Sequence, residues 1–173
     1  MATMVTPTAA SAMLQEFREE VAITKRLLDR VPGDKLTWKP HPKSMTLGQL
    51  AGHIASIPGR ISQWGHEDSF DLLKGSFVPS QPNSLQEILT TFQQSVGDAE
   101  QNLQNMTDER LAGSFRLMKG EREIFRQPRA VILRTVMLNH WYHHRGQLSV
   151  YLRLLDVPLP VIYGRSADTD PFA

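Results

Sequence analysis

The chain predicts an all-α protein, a four-helix bundle, on three observations. Four stretches of four or more turns carry apolar residues at helical spacing. One long polar crossover separates the second from the third, and a short irregular or hairpin segment precedes the last. The length, 173 residues, suits a single domain over 1–173 with one sizeable core.

Each element follows from local signals. After a loose start over residues 1 to about 7, Thr8 or Ser11 caps a first helix running to about Val31. Its core face includes Met13, Leu14, Phe17, Val21, Leu27 and Leu28, and Pro32-Gly33 stops it. Trp38, just before Pro40 and Pro42, is placed to plug one end of the core. Thr46 caps a second helix that ends near Gly65, with Leu50, His53, Ile57, Ile61 and Trp64 along one face. Pro58-Gly59 inside that pattern predicts a kink, because proline removes a backbone hydrogen bond. A polar loop follows from His66 past Pro82. Asn83 or Ser84 starts the third helix, with Glu87 completing a capping-box pattern, and it ends near Asn105. Residues 107–127 alternate at Phe115-Arg116-Leu117 and Glu123-Ile124-Phe125, which reads as a hairpin or irregular crossover. Pro128 fits the first turn of the fourth helix, which reaches about Leu155. Aromatic and apolar residues in the tail predict that part of it packs.

Composition excludes several function classes. The net charge of +1 is not that of a nucleic-acid binder. Without cysteine there is no disulfide, thiolate metal site or cysteine nucleophile. No apolar run reaches the roughly 18 residues of a membrane span. The first residues lack a basic segment followed by an apolar one, so no signal peptide is expected and the cytoplasm is the expected location. There is no His-Glu-x-x-His, no Glu-x-x-His, no phosphate-binding glycine loop and no Gly-x-Ser-x-Gly elbow.

What stands out is the stretch Asn139-His140-Trp141-Tyr142-His143-His144-Arg145-Gly146-Gln147. Residues four apart in a helix lie about 40° apart around its axis, so His140 and His144 can converge while His143 points elsewhere. Leu133, Met137, His140, His144, Gln147, Tyr151 and Leu154 step by four and three, which reads as an inward seam. Buried polar groups cost several kcal/mol unless satisfied. His53 on the second helix's seam supplies a third imidazole. Three imidazole nitrogens suit zinc, nickel, copper or ferrous iron and leave coordination positions open, which is the catalytic pattern rather than the closed structural one. Taken singly, each histidine is ordinarily a hydrogen-bonded core residue; together they favour a metal. Gln147 and Tyr151 are candidate supports or substrate contacts, although Tyr151 also fits a core aromatic with its hydroxyl at the bundle edge. His143 is expected to face a neighbouring helix or subunit, and His41 and His66 to sit in loops at the solvent side. Arg145 reads as an ordinary surface charge, and Arg122, Arg126, Arg129 and Arg134 as a solvated basic face.

The chain resembles the DinB-like superfamily, which includes damage-inducible DinB proteins and thiol-dependent transferases. The resemblance rests on Trp38-Lys39-Pro40, on Ser44-Met45-Thr46-Leu47-Gly48-Gln49-Leu50-Ala51-Gly52-His53-Ile54, on the histidine-rich stretch through Leu148, and on Leu155–Pro160 with Tyr163-Gly164. It implies a bundle in up-down-down-up order, often a homodimer, with a divalent metal on His53, His140 and His144. Zinc or nickel is expected ahead of iron or manganese. The implied activity is thiol transfer: the metal activates a small thiol, or water, against an electrophilic small molecule in detoxification or stress response. The alternatives are a non-catalytic metal-binding stress or dimerisation protein, and a metal-dependent hydrolase. No nucleic-acid or membrane partner is expected.

Overall fold

The structure is a computed structural model that describes residues 7–75 and 78–170. Apart from Pro7, the expected loose start lies outside the described residues, as does the end of the tail, 171–173. Helix α1 spans Ala9–Leu28, and the Thr8 hydroxyl accepts from the Ser11 amide. Helix α2 spans Leu47–Ser62 and opens on a complete capping box between Thr46 and Gln49. Strand β1, Ser69–Asp71, lies in the crossover, followed by α3, Leu85–Gln104, and a single-turn α4, Asp108–Ala112. Strands β2, Ser114–Lys119, and β3, Arg122–Pro128, form the expected hairpin. A short α5, Arg129–Ile132, passes through a π-helical stretch, Leu133–Asn139, into α6, His140–Leu154. At the start of α3 the Ser84 hydroxyl accepts from Glu87 as expected, but the Glu87 carboxylate reaches back to the Asn83 amide, one residue before the cap.

Contacts between helices give their directions. Ser95 meets Gly59, and Asn102 meets Ser62, further along both helices, so α2 and α3 run parallel. Glu16 pairs with Arg134 and Glu20 with Arg145, which makes α1 parallel to the last helix. Tyr151 reaches Met45 while Trp141 reaches Ile54, so α2 and α6 are antiparallel. Arg18 on α1 pairs with Glu100 on α3, and the Ala10 amide with Asp108 beyond it, which makes that pair antiparallel too. The order is therefore up-down-down-up. Phe17, Leu50, Ile54, Leu103, Trp141 and Leu148 fill the core.

Of two local features, one agrees with the sequence reading and one departs from it. First, α2 continues past Pro58 to Ser62. Its missing N–H leaves the Ile54 carbonyl without the usual partner four residues on, and the Trp141 indole N–H donates to that oxygen at 2.9 Å. Gly59 lets α3 approach, because a Cβ there would stand 3.0 Å from the Ser95 Cα. Second, the π turn takes more residues per turn than an α-helix. Steps of four therefore stay on one face, and the fully buried row is Leu133, Met137, Trp141, Leu148 and Leu152. The histidines flank that row instead of lying within it. Gln147 is exposed, and so is Leu154, at 57%.

The small sheet closes one end of the bundle. Strand β1 pairs in parallel with β2, Phe70 opposite Leu117, and β2 pairs antiparallel with β3, Arg116 opposite Arg126. Trp64, Phe115, Leu117 and Ile132 make a second, smaller core beneath it, with Trp64 stacked between Phe70 and Phe115. The hairpin turns at Gly120, whose φ of 60° favours glycine. Its amide donates to the Asp71 carboxylate, which ties the turn to β1.

Candidate metal centre

Helix α2 contributes His53, and α6 contributes His140 and His144. A nitrogen from each lies within 4.8 Å of the others, so the three could hold a metal ion. The His53 ring centroid is 5.2 Å from that of His140 and 4.6 Å from that of His144. Their helices are held in register one residue away: His53 precedes Ile54 and His140 precedes Trp141, the two groups joined by the hydrogen bond across the helices.

The nitrogens satisfy one another only in part. His144 Nδ1 bonds the Gln147 Oε1 at 2.8 Å, and because that oxygen only accepts, Nδ1 carries the proton and Nε2 is left with a lone pair. That lone pair lies 2.8 Å from the Nε2 of His140. The Nδ1 of His140 is buried with no well-formed partner among the described residues. Whichever nitrogen of His140 holds its proton, the protein alone leaves one of them unsatisfied. A cation that accepts the converging lone pairs removes the conflict, so the donor set fits a divalent metal. Orientation by Gln147 is the role of a group behind a ligand.

All three imidazoles are poised neutral, as metal ligands must be. Burial is the main cause of lowering for His53, to about 4, and the neighbouring His144, His140 and Arg60 lower it further. Burial also lowers His140, partly offset by the Val136 carbonyl. Burial lowers His144 as well, with Gln147 acting in the opposite sense.

A cavity of about 400 Å³ opens beside the trio. His53 and His140 lie in its wall with Ser56 and Arg60 from α2, and Ile57, Ile61, Trp64, Leu117, Phe125 and Val136 make it largely apolar. Sequence reading placed Ile57, Ile61 and Trp64 on the face of His53 but did not single out Ser56 and Arg60. Ser56 and Arg60, three and seven positions after His53, share its helix face and were within reach of a spacing argument. Leu117 and Phe125 arrive through the hairpin, which no local pattern places there.

The other candidates lie elsewhere. The Tyr151 hydroxyl donates to the Met45 carbonyl and its ring meets Trp38 edge-on, so it is engaged at the start of α2. His143 is exposed, and so are His41 and His66. Arg145 overturns its reading as a surface charge. It is 1% exposed, it pairs with Glu20 at 2.5 Å, and it lies between the rings of Tyr142 and Tyr163. The expected basic face also divides. Arg129 is buried against Asp68 and the Glu67 carbonyl, and Arg134 grips both oxygens of Glu16, while Arg122 and Arg126 stay exposed.

Known proteins share this plan. Among described residues, no helix is long and apolar enough to cross a membrane. The uncharacterized protein YrdA of Bacillus subtilis (strain 168) is 26% identical over 152 residues, which cover 87% of this chain and 86% of that one. The crystal structure of a DinB-like protein from Bacillus cereus ATCC 10987 matches with a TM-score of 0.67 at 28% identity, over 87% of this chain and 95% of that one. A DinB-like protein of Bacillus subtilis, YjoA, matches in fold with a TM-score of 0.69 at 18% identity, over 90% and 99%. The model of the DinB family matches residues 1–170, and the chain belongs to that family.

Proposed function

We propose that the protein is a metal-dependent enzyme in which His53, His140 and His144 hold a divalent ion, zinc or nickel, and a small thiol is activated for transfer to an electrophile. The observation that carries this reading is three imidazoles with converging nitrogens at the wall of an apolar cavity large enough for a small molecule. When bound, such an ion supplies Lewis acidity and lowers the pKa of a thiol or water brought to its open positions. The chain's own residues do the rest. Gln147 orients His144, burial keeps the imidazoles neutral, and the apolar wall limits water around the reacting groups.

Thiol transfer is favoured over hydrolysis by one feature. Among the described residues the cavity wall carries no carboxylate, so a leaving group there has no acidic side chain from them to protonate it. A metal held by His53, His140 and His144 would lower the pKa of a thiol brought to it, so that bulk water would suffice to take the proton. The test measures thiol consumption with an electrophilic acceptor, in protein loaded with zinc or nickel and in protein treated with chelator. Consumption should require the metal and disappear in His140→Ala. Equal consumption by the chelated protein would sink the proposal, as would a protein that takes up less than about a tenth of an equivalent of either metal at concentrations well above ordinary site affinities.

A further inference from the structure

Among the described residues, the wall of the cavity beside the histidines has one charge. Apart from His53 and His140, every described lining side chain is apolar or a neutral polar group except Arg60, and none of them is acidic. Arg60 sits seven residues after His53 on α2, two turns along the same helix face, which is about 10.5 Å at the rise of an α-helix. The rest of the wall includes the apolar Ile57, Ile61, Trp64, Leu117, Phe125 and Val136 and the uncharged polar Ser56 and Ser80. The wall thus combines imidazoles, apolar side chains and, two turns along α2 from His53, a guanidinium.

We propose that the electrophile this site accepts is an organic anion with an apolar, ring-sized body, its acidic group on Arg60 and its uncharged end toward His53 and His140. The inference rests on the proposed function for calling the ligand a substrate, but the binding preference stands on the cavity alone. A neutral apolar molecule would gain the walls and nothing from Arg60. A small polar anion would gain Arg60 but leave the apolar walls facing water. A ligand about 10 Å long, the rise of α2 from His53 to Arg60, can join both features. A guanidinium suits carboxylate or sulfonate, which it can meet with two parallel hydrogen bonds. Arg60 also borders two smaller cavities lined in part by Glu67 and Asp98. The ligand's anion competes with these carboxylates, so the expected preference is about tenfold rather than the hundredfold of an isolated buried pair.

The test uses two fluorescent probes of one shape: 8-anilinonaphthalene-1-sulfonate and the neutral N-phenyl-1-naphthylamine, titrated into metal-free protein so that no ion competes for the sulfonate. The anion should bind at one equivalent, about tenfold more tightly than the neutral probe. Arg60→Gln, a change on an exposed side chain, should weaken the anion about tenfold and leave the neutral probe unchanged. Val136→Trp, which fills the cavity, should weaken both, with thermal melting used to confirm that the variant folds. Equal affinity for the two probes overturns the inference, and so does an Arg60→Gln change that weakens both alike. Metal content measured on separate aliquots separates the two readings. An intact probe preference with no metal uptake removes the metal and keeps the anion site, and metal uptake without the preference does the reverse.

Discussion

The two sides of α6 bury polar groups in opposite ways. Toward α1, Arg145 has Glu20, Thr24 and Tyr163 as partners, and Arg134 has Glu16 with Tyr142 beside it. Every charge on that side is answered by the protein. Toward α2, His140 and His144 face each other and His53, and a buried His140 nitrogen has no well-formed partner among the described residues. Burying a polar group is costly on either side, so the contrast lies in what satisfies it. The α1 side is complete and therefore structural. The α2 side is incomplete in the protein alone and opens on a cavity, which is how a binding site differs from a core network.

The sharpest way to break this contrast is to remove a ligand. His140→Ala should reduce metal content from one equivalent to background by elemental analysis, while His143→Ala, an exposed neighbour, should leave it unchanged. If the two variants lose metal alike, the assignment of His140 to the trio is wrong. On the opposite side, Glu20→Ala should cost about 3–5 kcal/mol in chemical denaturation, because it leaves the buried Arg145 unpaired. Replacing both partners, as Glu20→Leu with Arg145→Met, should recover most of that loss, since the pair must offset its own desolvation. Metal content should be unchanged wherever these variants remain folded, because that network touches none of the three imidazoles.

Proton binding separates the sides further. Free of metal, the folded state holds His53 with its pKa lowered from 6.5 to about 4, mainly by burial. The unfolded chain therefore takes up a proton first as pH falls, and the metal-free protein loses stability between about pH 6.5 and 4. His140 and His144, lowered in the same direction, add to that loss. Thermal melts across that range should show the decline in wild type and a weaker one in His53→Gln. A metal-free wild type whose melting point is flat from pH 7 to 4 would mean that the trio is not buried as neutral imidazoles.

The helices and their ends were legible because capping and periodicity are local: Thr8, Thr46 and Ser84 each accept the amide expected of a cap. The trio was legible for the same reason, since i, i+4 spacing fixes His140 against His144 in any helix. The fate of the arginines was not. Arg145 is one residue beyond His144 of the trio, and only the position of Glu20, 125 residues earlier, makes its burial tolerable. The phase of the seam was lost at the π turn over Leu133–Asn139, which leaves no mark in apolar spacing. Strand β1 was hidden because its partner β2 lies about 45 residues away and three residues carry no pattern of their own.

Two smaller changes test whether the α2 side is built for a ligand or is only imperfectly packed. Gln147→Leu removes the acceptor that fixes the His144 tautomer. Metal affinity should fall about 10- to 100-fold by competitive titration, with little change in stability because Gln147 is exposed. Trp141→Phe keeps the fully buried aromatic body, stacked on Phe17 with ring centroids 5.7 Å apart, but removes the hydrogen bond to the Ile54 carbonyl that Pro58 leaves available. That carbonyl is then buried without a partner, a loss of about 1–3 kcal/mol in stability. The informative readout is the metal. His53 and His140 each sit one residue from the broken bond, so if it sets their spacing, affinity should drop several-fold in protein that is still fully folded. Pro58→Ala in the same background restores an N–H to the Ile54 carbonyl within α2 and should recover part of the stability, but not the affinity, because it satisfies the oxygen without reconnecting the two helices.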